Sequence, residues 1–188
     1  MRVIMMGPPG VGKGTQAAVL SRELGVPAIS TGDLFRAHVA DGTDLGRRLR
    51  ALVEAGEYVP DELTNALVAE RIAEEDARDG FILDGYPRTL AQVDALAELL
   101  EERGTPLSCV VLLTADADVV LERLHVRAQE QDRADDDPEV VRNRIEVYER
   151  ETAPLAEVYD ERELLVRIDG SASQDEVAAR IIAACRPE

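Results

Sequence analysis

The segment "GPPGVGKGT", Gly7–Thr15, stands directly behind the apolar run "RVIMM" and ahead of a helix-forming stretch. Four glycines, two prolines and one lysine in nine residues leave a backbone almost bare of side chains. Gly7, Gly12 and Lys13 have the spacing G-x-x-x-x-G-K, with Gly14 and Thr15 following. Small residues let backbone N–H groups curl around phosphate oxygens, and the start of the next helix adds partial positive charge. Lys13 supplies a point charge for β- and γ-phosphates, and the Thr15 hydroxyl can meet the shell of Mg²⁺. A plain Gly/Pro turn would not need the full spacing in a strand–loop–helix context. The segment therefore predicts a nucleotide site at the end of a buried first strand.

The rest of the chain alternates in the way such a strand requires. Short apolar runs at Val3–Met6, Ala28–Ser30, Phe81–Asp84, Cys109–Thr114 and Leu165–Ile168 read as strands. Helical patterns fall at Lys13–Leu24, Asp61–Ala77, Thr89–Arg103, Ala117–Arg127, Pro138–Glu161 and Gln174–Ala184. This predicts an α/β fold: a central parallel five-stranded sheet with helices on both faces. Thr31–Val59, helical and polar, and Gln129–Asp137, charged and turn-like, fit the alternation poorly. In open parallel sheets ligands bind beyond the carboxyl ends of the strands, where such excursions can reach them.

At 188 residues, one domain is expected. No apolar run approaches the roughly 20 residues of a membrane helix, and "RVIMM" is too short for a signal-peptide core. Cys109 and Cys185 lack metal or redox spacing, and Cys109, within an apolar run, reads as a small core residue rather than a disulfide partner. A cytoplasmic location is the expectation.

The formal net charge is −17, from 38 acidic against 21 basic residues, and Lys13 is the only lysine among the latter. That field disfavours nucleic acid and anionic membranes as partners. It also repels a small anionic substrate, so a phosphate site needs arginine concentrated locally. Self-repulsion should weaken the compact state, and salt shortens the screening length from about 10 Å at 0.1 M to about 3 Å at 1 M. A GC-rich coding sequence would explain the arginines but leaves the acid excess unexplained. If the excess limits stability, the melting temperature rises with KCl over that range. A flat or falling melting temperature would show that it does not.

Arginine grips phosphate oxygens bidentately, which lysine cannot do. Arg36 follows the Thr31 turn, and Arg88 lies in the rigid "YPR" turn after "FILD". Arg123 and Arg127 are four apart and share a helix face. Arg133 lies in the charged excursion. Arg142 and Arg144, two apart, cannot share a face. Arg142, with Glu146 one turn on, reads as solvated, and Arg144 flanks the Val140/Val141/Tyr148 face and reads as the site member.

Five motifs together resemble the adenylate kinase family. They are "GPPGVGKGTQA", "STGDLFR" (Ser30–Arg36), "VPDE" (Val59–Glu62), "DGYPRT" (Asp84–Thr89) and "RADD" (Arg133–Asp136), in family order from residue 1 to about residue 180. The resemblance, to the short-lid type, implies a P-loop three-layer sandwich over residues 1–188. It adds a small helical NMP-binding insertion at 30–59 and a short lid at 126–137. It implies reversible transfer of a phosphoryl group from MgATP to AMP, giving two ADP, in a monomer.

The same resemblance distributes the site. Gly10, Val11, Gly12, Lys13, Gly14 and Thr15 would hold ATP with Arg123, Arg127 and the backbone near Ala172. Arg36 and Arg88 would hold the AMP phosphate, with Gly85, Tyr86 and Pro87 extending that pocket. Thr31 and Gln92 would read the AMP base beside the backbone of Glu57, Tyr58 and Val59. Arg133 and Arg144 would bridge the transferring phosphates. Lys13, Arg88, Arg123, Arg127, Arg133 and Arg144 form the catalytic set. Thr15 and Asp84 would hold Mg²⁺ through water; the lesser alternative for Asp84 is to cap the next helix. Family lids of this length carry glycine before the arginine, where this chain has Asp132.

Other features read as structural. His38 and His125 lack metal-ligand partners at useful spacing. The acidic "DRADDDPE" lacks the glycine and oxygen spacing of a calcium loop. Without cysteine in the lid, zinc is not expected. A UMP/CMP kinase on the same fold is the nearest alternative. A nucleotide-dependent switch without phosphotransfer is another, but the second pocket formed by "STGDLFR" and "DGYPRT" argues against it.

Overall fold

The computed structural model describes residues 1–131 and 137–185, with backbone only for Ala117, His125 and residues 127–131. Strands β1 (Arg2–Met6), β2 (Ala28–Ser30), β3 (Phe81–Asp84), β4 (Cys109–Thr114) and β5 (Leu165–Asp169) form one sheet. Their order is β2-β3-β1-β4-β5 and every pairing is parallel. Val3 stands opposite Ile82 on one side and Cys109 on the other, so β1 is central. The carboxyl ends of all five strands consequently lie along one edge. The chain passes from β1 to β2 and β3 on one side and then to β4 and β5 on the other, and this switch opens a crevice above β1.

The strands are apolar on both faces because each face is covered. Ile4, Met6, Leu83 and Val110 pack into one core with Val68 and Ile72 of α4 (Asp61–Arg71) and its C-cap, and Val93 and Leu96 of α5 (Leu90–Glu102). Leu155 and Tyr159 of α8 (Leu155–Glu161) complete it. Val3, Met5, Ile82, Val111 and Leu113 face the opposite way. They meet Ala17 and Leu20 of α1 (Lys13–Leu24) and Val177 and Ile181 of α9 (Gln174–Cys185). Alternation between two buried layers, rather than between core and water, produces runs without polar interruption.

The excursions form small cores of their own. Phe35 of α2 (Thr31–Ala40), Leu49 of α3 (Asp44–Ala55) and Val59 pack together. Val120 and Leu124 of α6 (Ala117–Gln131) pack with Val141 of α7 (Pro138–Val147).

The structure corrects the sequence reading in three places. Helix Asp61–Ala77 ends at Arg71, and Glu75–Ala77 is a separate 3₁₀ turn. Helix Pro138–Glu161 breaks into α7, a π-helical segment Tyr148–Thr152 and α8. Pro154 has no N–H for the helical ladder, and the N–H of Ala153 reaches back five residues to the carbonyl of Tyr148 at 2.9 Å. Lastly, Cys109 and Cys185 form a disulfide. The first residue of β4 and the last of α9 share a core layer, although 76 positions separate them in the chain. No spacing rule reads such a pairing.

No helix among the described residues is long and apolar enough to cross a membrane.

Candidate active site

The phosphate loop owes its shape to glycine at three left-handed positions: Gly7 (φ 138°), Gly10 (φ 84°) and Gly12 (φ 107°). A Cβ on Gly7 would also lie 2.5 Å from the carbonyl oxygen of Leu113. Gly12 caps α1 with no side-chain hydrogen bond to the first-turn amides. A helix start of this kind presents its N–H groups to an anion. Lys13 Nζ donates to the carbonyls of Gly7 at 2.8 Å and Pro8 at 2.9 Å, which places its charge across the mouth of the loop.

Two groups from other segments complete this end of the cleft. The Arg123 guanidinium donates to Val11 O at 3.0 Å and to Gly170 O at 2.9 Å, tying the loop to the β5–α9 turn. Asp84, the last residue of β3, has its Oδ2 3.3 Å from where a Gly14 Cβ would stand. The carboxylate thus lies beside the start of α1, near Thr15. It does not cap α5; Thr89 does, accepting from the Gln92 N–H.

The cleft, about 680 Å³, continues toward the insertion. Arg36, Gly85, Pro87, Arg88, Tyr58 and Arg144 line it there. Arg36 pairs with Asp33. Arg88 Nε donates to Gly85 O at 2.7 Å, and its guanidinium lies 4.8 Å from the centre of the Tyr58 ring. Arg144 packs its stem against Gly56, a left-handed glycine where a Cβ would come within 2.5 Å of it. Arg142 is exposed and outside the lining.

Of the residues expected to hold ATP, Gly10 to Thr15, Arg123 and Ala172 line the cleft. The side chain of Arg127 and all of Arg133 lie outside the described residues. Four residues expected in the AMP pocket stand behind its wall. Thr31 is buried and donates to Gly85 O at 2.8 Å. Val59, expected to contribute its backbone, has its side chain buried against Phe35 and Leu49. Tyr86 is buried, its hydroxyl donating to Asn65 at 2.8 Å; burial, with Asp61 close by, holds the phenol well above its ordinary pKa.

Gln92 is the fourth of them. It is 2% exposed, and both ends of its amide are engaged within the protein. Oε1 accepts from the Arg88 N–H at 2.7 Å, and Nε2 donates to Asp61 Oδ1 at 2.7 Å. An amide so placed braces the "YPRT" turn and does not face the cleft. Glu57 is exposed, off the cleft, and accepts from Asn143.

Three contributions were missed in the sequence. Asp61 of "VPDE" accepts from both Thr89 and Gln92 and so anchors the arginine turn. Thr152 lines the cleft with Arg144 and Tyr148; their four-residue spacing was a usable signal. Gln16 is buried on the lining and donates to the carbonyl of Gln174 at 3.1 Å. Among the described residues, no group of three or more His, Cys, Asp or Glu could hold a metal ion by itself.

The family model "Adenylate kinase" matches residues 5–164. An adenylate kinase of Clavibacter michiganensis is 58% identical over 97% of this chain and 92% of its own length. One from Kocuria rhizophila is 54% identical over 97% of each chain. One from Thermobifida fusca is 48% identical over 99% of this chain and 98% of its own. Matches of this extent, spanning both ends of the cleft, place the chain in the adenylate kinase family.

Proposed function

We propose that the cleft transfers a phosphoryl group from MgATP, held at the phosphate loop, to AMP, held at the arginine end, giving two ADP reversibly. The observation that carries this reading is one continuous cleft with Lys13 at one end and Arg36, Arg88 and Arg144 at the other. Two polyphosphate groups brought end to end need charge neutralisation and alignment more than covalent help. The loop amides and Lys13 take the β- and γ-phosphates, Arg123 braces the loop, and Arg36 and Arg88 take the AMP phosphate. Arg127 faces ATP beside Arg123, and Arg133 and Arg144 bridge the transferring group. An AMP phosphate oxygen is already a competent nucleophile, so no general base is required.

The oxygen donors of Thr15 and Asp84 suit a hard cation held through water, and they would hold the Mg²⁺ that arrives with ATP. Bound there, it would offset charge on the phosphates. Segments 30–59 and 126–137 act as the covers that exclude water, the competing acceptor. The protein works as a monomer without zinc; a zinc ion found at one per chain by elemental analysis would contradict this.

The reading requires an adenine acceptor, with Thr31 and Gln92 at the base end of the pocket beside the backbone of Glu57 to Val59. AMP should exceed CMP and UMP by about 100-fold or more in kcat/KM, with Mg²⁺ present and activity lost in EDTA. Comparable rates with CMP would make this a UMP/CMP kinase instead.

A further inference from the structure

We infer that Tyr58 and Thr152 are positioning residues for Arg88, which hold its guanidinium plane for the acceptor phosphate; the inference rests on the role proposed above for Arg88. The three residues come from three separate segments. Tyr58 lies between α3 and α4, Arg88 between β3 and α5, and Thr152 in the π-helical segment before α8.

The directions of the hydrogen bonds follow from the donor inventory. Thr152 Oγ1 lies 2.9 Å from the Arg88 carbonyl, which can only accept, so the threonine hydroxyl donates there. Its single proton is then used, and the Tyr58 hydroxyl at 2.7 Å must be the donor to Thr152 Oγ1. The chain runs Tyr58 to Thr152 to Arg88 main chain. Meanwhile the Tyr58 ring covers one face of the same guanidinium at 4.8 Å, and Gly85 O accepts from Nε at 2.7 Å. Face and one edge are thus held, and bidentate phosphate contact occurs in the remaining plane. Thr152 is 6% exposed, so removing its hydroxyl would leave a phenol and a carbonyl without their partner.

The helix break explains why Thr152 is available. Arg144, Tyr148 and Thr152 are successive steps of four, and each such step in an α-helix overshoots a full turn by about 40°. Two steps would turn Thr152 by about 80° relative to Arg144. The wider turn over Tyr148–Thr152 takes up that rotation, and all three side chains line the cleft. Widened turns of this kind recur at functional sites.

The test is steady-state kinetics with ATP and AMP varied separately, on variants whose folding is checked by circular dichroism. Thr152→Val should raise the KM for AMP by about tenfold while the KM for ATP stays within about twofold, and Thr152→Ser should restore it. Tyr58→Phe keeps the ring and loses the hydroxyl, so it should fall between wild type and Tyr58→Leu, which loses both. Tyr58 is on a loop, so its variants keep the test open should Thr152→Val misfold. KM values for ATP and AMP that move together, or failure of Thr152→Ser to restore AMP binding, would overturn the inference. Arg88→Ala separates it from the reading beneath. If Arg88→Ala loses AMP selectively while folded Thr152→Val and Tyr58→Leu behave as wild type, the positioning role fails alone. If Arg88→Ala leaves AMP kinetics intact, the role proposed for Arg88 fails with it.

Discussion

The Lys13→Met variant is expected to lose about 100-fold or more in kcat while keeping its fold. Phosphoryl transfer moves negative charge between donor, transferred group and acceptor, and fixed positive charge at that point stabilises the transition state by about 3 kcal/mol or more. Lys13 Nζ is the cation seated on the phosphate loop itself, 2.8 and 2.9 Å from two of its carbonyls. Methionine retains the apolar stem and removes the charge. The hydrogen bonds lost are to a partly exposed loop, and its glycine-determined backbone does not depend on them. Circular dichroism and the melting temperature establish that the variant is folded. Near-normal turnover in a folded Lys13→Met protein would remove the lysine from the mechanism.

Loss of the Cys109–Cys185 bond is expected to lower the melting temperature by about 10 °C and to leave turnover at 25 °C nearly unchanged. A link spanning 76 residues removes chain entropy from the unfolded state worth about 4 kcal/mol in the loop-closure treatment. For a chain this size, 1 kcal/mol corresponds to roughly 2–4 °C. Both cysteines are buried at 4% exposure, so a solvent reductant reaches the bond slowly, and variants are the cleaner comparison. Cys185→Ala should melt well below the oxidised protein and close to fully reduced wild type. Turnover should survive because Cys109 begins β4 whereas the cleft lies beyond the strand's other end, roughly 17 Å away for six residues. Equal melting temperatures for oxidised wild type, reduced wild type and Cys185→Ala would show that the bond does not hold this fold together.

What could be read in the sequence was what local chemistry dictates. The phosphate loop depends on glycines at the three left-handed positions 7, 10 and 12, and the five strands are uninterrupted apolar runs because both faces are buried. Arg144 could be separated from Arg142 by helix periodicity alone, since only one of the two can share the face of Val141. Long-range pairing left no such trace. The Gln92 amide pattern suits an adenine edge, but it suits Asp61 and the Arg88 N–H equally, and only the fold shows that they are its partners. The disulfide joins two cysteines that become neighbours once α9 lies on the sheet beside α1. The run from Pro138 to Glu161 carried an unbroken helical pattern, and its widened turn arises from Pro154 and from burial of Thr152 toward the cleft.

The most direct measurement of the central claim is ADP formation from ATP by the purified protein, followed in a coupled assay with and without AMP in the presence of Mg²⁺. The cleft joins a donor end to an acceptor end, so ADP should accumulate only when AMP is present, two ADP for each ATP consumed. ADP formed from ATP alone at a comparable rate would mean that water is the acceptor, and the protein would be a hydrolase or switch. No ADP under either condition, from folded protein, would contradict the phosphotransfer reading altogether.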